Sequence, residues 1–116
     1  MSKFYNKIVN GNSLEELKKI PDKTFDLVFA DPPYNMQIGN KLKRPDDSMV
    51  DGVNDDWDKF KSFEEYDNFC KSWLVECKRI LKDNGSIWVM GSYHNIFRLG
   101  CQLQNLDYWL LNDVIW

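Results

Sequence analysis

Two rhythms of apolar residues alternate along this chain, and together they predict its elements. Residues 4–10 (FYNKIVN) read as a short strand that Gly11 and Asn12 end. Ser13 followed by Glu16 forms a capping box. It opens a short helix from Leu14 to Ile20, with Leu14, Leu17 and Ile20 on one face and Pro21 as its stop. Residues 25–30 (FDLVFA) are almost continuously apolar, which suits a strand covered on both faces. From 31 to 61 no period survives, and Pro32, Pro33, Gly39, Pro45 and Gly52 punctuate the stretch. A second capping box, Ser62 with Glu65, opens a helix. Phe63, Tyr66, Phe69, Cys70, Trp73, Leu74, Cys77, Ile80 and Leu81 then form one apolar stripe that ends near Lys82, with Asn84 and Gly85 as the stop signal. Residues 86–91 (SIWVMG) predict another buried strand, His94 to Leu106 a helix weakened by Gly100, and 108–116 (YWLLNDVIW) a last strand.

Strands alternating with helices predict an α/β fold with a mostly parallel sheet. In such sheets ligands bind beyond the carboxyl ends of the strands. Asp31 to Asn35 and Ser92 to Asn95 occupy that position. The unpatterned stretch from 31 to 61 is long for a compact domain, and loops of that length tend to be functional or disordered.

Composition narrows the class. A chain of 116 residues is one domain at most. Its 43% apolar and 28% charged residues exclude a disordered tail or a fibrous repeat. No apolar run nears the ~20 residues that span a bilayer, and the first ten residues lack a signal-type apolar stretch; a cytoplasmic location is expected. Three cysteines match no metal-ligand spacing, so no metal is expected. Cys70 and Cys77, two helical turns apart, are separated by about 10.5 Å of rise, too far for a disulfide. Reduced, buried thiols are the expectation. The net charge of −3 argues weakly against a free-standing DNA-binding module. Charge is nevertheless uneven. Lys41, Lys43 and Arg44 form a basic cluster suited to phosphate contact, and six aspartates follow from Asp46 to Asp58 with no cation among them. Solvated loop is the plainer account of both runs.

The segment that carries chemistry is Asp31-Pro32-Pro33-Tyr34, directly after FDLVFA. Two prolines stiffen the backbone and lack N–H groups, so their carbonyl oxygens project from a defined place. Asp31 adds a carboxylate acceptor and Tyr34 an aromatic face. A planar ligand with an exocyclic amine could stack on the ring and donate one hydrogen bond to Asp31 and one to a proline carbonyl. Two acceptors on one amine draw its lone pair out of conjugation, which makes it nucleophilic without a general base. An ordinary Pro-Pro turn after a strand is the plainer alternative.

FADPPYN resembles the catalytic motif of the S-adenosylmethionine-dependent amino-methyltransferases that modify adenine N6 or cytosine N4 in DNA. The similarity extends through ADPPYNMQIG (30–39), RPDDSMVDGVNDDWD (44–58), RILKDNGSIWVMGSYHNIFR (79–98) and LNDVIW (111–116) to the N-terminal part of the cell-cycle-regulated β-class DNA adenine-N6 methyltransferases. This resemblance implies a Rossmann-like methyltransferase sheet, incomplete here, and residues 1–116 as the N-terminal part of a catalytic domain. It implies S-adenosylmethionine as cofactor, with contacts at Asn12 and Asp31. It implies duplex DNA as substrate, the sequence GANTC, and a target adenine flipped from the stack. Asp31 and the Pro32 carbonyl would hold the amine, with Pro33 in the same stiff turn, and Tyr34 would stack on the base. Asn35, Lys41, Lys43, Arg44, Tyr93, His94 and Asn95 would face DNA.

Two departures stand out. The β-class FxGxG cofactor motif is absent from these residues, so a fragment, a split product completed by a downstream chain, or the front of a longer chain is expected. Relatives carry Gly-Asp where this chain has Gly11-Asn12, and Asn brings no charge. Two other functions compete. One is methylation of an RNA or protein amide; the other is a non-catalytic remnant or complementing subunit that binds nucleic acid. His94 is the sole histidine, and amine methylation requires no base from it. Trp57 is expected to anchor the acidic loop.

Overall fold

A computed structural model describes residues 3–36, 45–46 and 59–116. In chain order the elements are α1 (Ser13–Lys18), β1 (Phe25–Ala30), α2 (Phe63–Ile80), β2 (Leu81–Val89) and α3 (Ile96–Asn105). Strands β1 and β2 pair in parallel, with α2 between them in sequence. The α/β class and the parallel pairing follow the alternation read from the chain. The expected larger sheet does not: among the described residues the sheet has two strands.

Both ends of the chain depart from expectation. Residues 3–6 turn, with Asn6 at φ 53°, and residues 7–10 pair with no strand, so the strand expected at 4–10 is absent. A single alternating stretch cannot satisfy its backbone without a neighbour. The strand expected at 108–116 is likewise unpaired, and every residue after Tyr108 is exposed. Tyr108 itself is anchored, its hydroxyl donating to the Leu74 carbonyl at 2.7 Å.

Helix α1 starts one residue earlier than its capping box suggests. Asn12, in extended conformation, is the N-cap and accepts from the Leu14 amide at 2.9 Å. Glu16 instead pairs with Lys19. The second capping box is present: Ser62 Oγ accepts from the Glu65 amide at 3.1 Å, while the Glu65 carboxylate reaches back to the Lys61 amide at 2.8 Å. Helix α2 buries Tyr66, Cys70, Trp73, Leu74, Cys77 and Ile80, as its stripe requires. Its first apolar residue, Phe63, stays exposed and carries the Arg98 guanidinium 3.9 Å from its ring centre.

The α2 helix gives way to strand at once. Leu81 is already extended and pairs with Phe25, so the stop read at Asn84-Gly85 falls inside β2. That stop signal still has a physical meaning. The register jumps from Phe25↔Leu81 to Leu27↔Ser86, so Lys82–Gly85 form an irregularity in the ladder. A Cβ at Gly85 would lie 2.9 Å from Leu81 Cδ2 and 3.0 Å from the Lys82 carbonyl oxygen, which only glycine avoids. Lys82 and Lys23 pair with Asp26 and Asp83 beside the irregularity. From Leu27 to Ala30 the pairing is regular, and the Met90 amide extends it to the Ala30 carbonyl at 2.8 Å.

One face of the sheet carries Val28, Ala30, Ile87 and Val89 against a core made by α2 and α3, centred on Tyr66, Leu74 and Leu99. The opposite face is open: Leu27, Phe29 and Trp88 are each more than half exposed. This corrects the reading of two-sided burial. The sequence carries apolar residues for both faces, and the described helices α2 and α3 pack on one of them. Cys70 and Cys77 are buried free thiols, each pushed up to about 11 mainly by that burial; Cys101, against expectation, is exposed.

Helix α3 ends in a Schellman motif. The Tyr108 amide bonds the Leu103 carbonyl and the Asp107 amide the Gln104 carbonyl, with Asp107 at φ 63°. A left-handed residue at this position favours glycine. Asp107→Gly is expected to stabilise the chain by about 0.5 kcal/mol, read as a raised denaturant midpoint at unchanged slope.

Candidate active site

The tip of β1 places the chemistry. Hydrogen bonding in the ladder runs to Ala30, and the next residue, Asp31, is exposed. Pro32, Pro33 and Tyr34 follow, half-buried, and Asn35 closes the turn at φ 57°. Asparagine tolerates that left-handed conformation better than most residues, so its presence after the tyrosine has a backbone reason as well. The Tyr34 hydroxyl donates to Asp31 Oδ1 at 2.7 Å. Loss of hydration and the neighbouring carboxylate push the Tyr34 phenol up to about 12. The phenol is therefore neutral at physiological pH and acts as a donor. A carboxylate has about four acceptor sites, so this single bond leaves Asp31 capacity for an incoming amine.

The turn is held from below. Tyr66, wholly buried on α2, donates its hydroxyl proton to the Pro33 carbonyl at 2.6 Å. Asn95 Nδ2 donates to the same hydroxyl oxygen at 3.0 Å, and Asn95 Oδ1 accepts from the Ser92 amide at 2.9 Å. The Tyr66 ring is clamped edge-on by Phe60, 4.8 Å between centroids. The turn after β1 and the turn after β2 are thus joined through one buried hydroxyl.

Asn95, expected to face DNA, is 1% exposed. Its amide is committed to Tyr66 and Ser92, so its place is inside the scaffold. Tyr93 remains at the surface, 80% exposed, with its ring tilted 31° against His94 at 4.4 Å between centroids. His94 is half-buried, and its amide bonds Ser92 Oγ. Asn35 sits beside Tyr34 at the turn. Lys41, Lys43, Arg44 and Trp57 lie outside the described residues.

Of the two residues assigned to a cofactor, Asp31 fits by its exposure. Asn12 fits poorly, because its Oδ1 is the cap of α1. Among the described residues no group of three or more His, Cys, Asp or Glu could hold a metal ion, and no helix is long and apolar enough to cross a membrane.

Two structural residues of this site escape the sequence reading. Tyr66 was visible only as one more member of an apolar stripe, although a hydroxyl among Phe, Trp and Leu is itself a signal that a buried partner exists. Gly91 reads in the sequence as a strand end. A Cβ there would stand 3.0 Å from both Asn95 Oδ1 and Ile96 Cδ1, so its lack of a side chain admits the Asn95 amide.

The chain is similar to known methyltransferases. Across 113 residues the chain is 58% identical to the type II methyltransferase M.HinfI of Haemophilus influenzae, covering 97% of this chain and 32% of that protein. It is 35% identical over 117 residues to the type II methyltransferase M2.DpnII of Streptococcus pneumoniae, again 97% of this chain and 43% of the other. The chain therefore spans less than half the length of these relatives. A family model described as DNA methylase matches residues 25–116, from the first residue of β1 through the Asp31 turn, both remaining helices and the final apolar segment. With an exposed carboxylate, a neutral phenol and two prolines at a parallel strand tip inside that match, the chain belongs to the DNA methylase family.

Proposed function

We propose that these 116 residues form the N-terminal, amine-gripping part of a Rossmann-like catalytic domain that methylates adenine N6 in duplex DNA. The observation that carries this reading is the Asp31–Tyr34 pair, joined at 2.7 Å just past the last hydrogen bond of β1. S-adenosylmethionine, when bound, supplies an electrophilic methyl group on its sulfonium. The residues of this chain do the rest by position. An adenine flipped from the duplex stacks on the Tyr34 ring. Its N6 amine donates one hydrogen bond to the Asp31 carboxylate and the other to the Pro32 carbonyl. Those bonds hold both N–H vectors in place and turn the nitrogen lone pair toward the methyl carbon. In that pose N6 would take the methyl group, the cofactor sulfur would leave as a neutral thioether, and the proton lost from N6 would pass to solvent. Orientation supplies most of the acceleration in such a transfer.

GANTC is the proposed target, supported by the resemblance through 44–58 and 111–116. Asn35, Lys41, Lys43, Arg44, Tyr93 and His94 are the proposed DNA contacts. A polypeptide region carrying the FxGxG motif, in the same chain or a downstream one, is the proposed source of most of the cofactor pocket. A cytoplasmic location accords with that substrate.

The decisive assay mixes this chain, with and without the adjoining downstream product, with S-adenosylmethionine labelled in its methyl group and a duplex containing GANTC. Label recovered as N6-methyladenine is the expected result in the complemented reaction. Label on RNA or a protein amide, or on no acceptor in either reaction, would overturn the proposal.

A further inference from the structure

The buried relay beneath the catalytic-type turn points to a role that the amine-gripping residues themselves do not show. The Pro33 carbonyl belongs to the peptide unit that feeds Tyr34. Whatever fixes that oxygen fixes the plane from which the Tyr34 side chain departs, because the peptide is rigid. Proline locks φ on one side, and the Tyr66 hydroxyl holds the oxygen at 2.6 Å on the other. Every bond in the chain of donors has one allowed direction. The Ser92 amide can only donate, so Asn95 must present Oδ1 to it and Nδ2 to Tyr66. With its oxygen accepting from Asn95, the Tyr66 hydroxyl sends its proton to Pro33. Tyr66 and Asn95 are 0% and 1% exposed, so water does not compete. Gly91 leaves the space that the Asn95 amide fills.

We propose that Tyr66, oriented by Asn95, is a positioning residue that sets the Pro33–Tyr34 peptide plane and so keeps the Tyr34 ring in register with the Asp31 carboxylate. The relay also ties the turn after β1 to the turn after β2, so Tyr93 and His94 share one frame with Asp31. The role rests on the reading of Asp31 to Tyr34 as the amine site. That reading stands or falls in the methyl-transfer assay, whereas the relay is tested without DNA or cofactor.

A fluorinated tyrosine incorporated at position 34 of the chain ionises within the pH range of the folded state, and fluorine NMR reads its midpoint. The Asp31 bond raises that midpoint, so loosening the bond lowers it. Asp31→Ala, which leaves no acceptor, calibrates the full loss. Tyr66→Phe removes the donor to Pro33 and is expected to lower the midpoint by about one pH unit, toward the Asp31→Ala value. Asn95→Asp keeps the acceptor for Ser92 but gives the Tyr66 hydroxyl a carboxylate to turn toward, and it is expected to act in the same direction. Leu103→Val, a core change on α3, should lower the melting temperature and leave the midpoint where it was. An unmoved midpoint in the folded relay variants, an equal fall in Leu103→Val, or no response to Asp31→Ala would each overturn the assignment. Should Tyr66→Phe fail to fold, Asn95→Asp decides it.

Discussion

In the complemented methyl-transfer reaction proposed above, replacing Asp31 by Ala is expected to reduce methyl transfer by about a hundred- to a thousandfold. That is the usual scale for removing one preorganised polar partner of a reacting group. Asp31 is exposed, and among the described residues its hydrogen bond to Tyr34 is with another half-exposed side chain, so the fold should survive the change. The loss should fall on the turnover rate more than on affinity for DNA, because the carboxylate orients the amine without contributing to the grip on the duplex. Asp31→Asn should recover only part of the loss: the amide oxygen accepts one bond, while its NH2 group opposes the incoming amine. Tyr34→Phe retains the stacking face and gives up only the 2.7 Å bond, so a smaller drop is expected there. Single-turnover methylation separates these effects. Activity of Asp31→Ala within a few fold of the parent would remove Asp31 from the chemistry.

The largest single effect on stability is expected at Arg79. Its guanidinium donates to the Leu17 and Ile20 carbonyls at 2.9 and 2.7 Å, and to Asp22 and Glu76 at 2.7 and 2.8 Å. Two of these acceptors lie at the carboxyl end of α1, where few intrahelical donors remain; the Leu17 carbonyl also accepts from the Ile20 amide at 3.1 Å. One side chain on α2 therefore caps α1, holds the turn into β1 and pairs with its own helix. The carboxylates beside it raise its already high pKa further, so it stays charged throughout. Arg79→Met would keep the aliphatic packing and remove the guanidinium's bonds to both carbonyls and both carboxylates at once. A loss of about 2–3 kcal/mol is expected, measured by denaturant unfolding. Arg79→Lys should restore less than half of it, since an ammonium cannot span the same planar set of acceptors. A change below about 0.5 kcal/mol in Arg79→Met would show that the network is replaced by water without cost.

Much of this molecule was written locally. The α2 stripe, its Ser62–Glu65 start, the β1 run and the Asp31–Tyr34 turn all follow from neighbours in sequence, and all stand where the patterns put them. Periodicity, capping and proline stiffness act over a few residues, so they can be read along the chain. The misreadings share the opposite cause. Residues 4–10 and 108–116 have strand composition, yet a strand exists only when a second one pairs with it, and none of the described residues does so. Asn84-Gly85 signals a turn correctly, but the signal marks an irregularity within β2 because Asp26 lies opposite.

The site divides along the same line. Which groups are proposed to meet a substrate amine was legible, since a carboxylate, two prolines and a phenol are consecutive. How they are held was not. Tyr66 lies 33 residues from Pro33, Asn95 lies 29 from Tyr66, and Arg79 reaches residues 57 to 62 positions away. A single sequence carries no term for such distances. By itself the chain determined its helices, its parallel α/β class and which groups stand together at the strand tip. Only the tertiary structure decided that a buried hydroxyl bonds the turn at that tip, that Asn95 is buried behind it, and that one face of the sheet lies open. Those outcomes depend on which distant groups lose water together, and that is settled by packing.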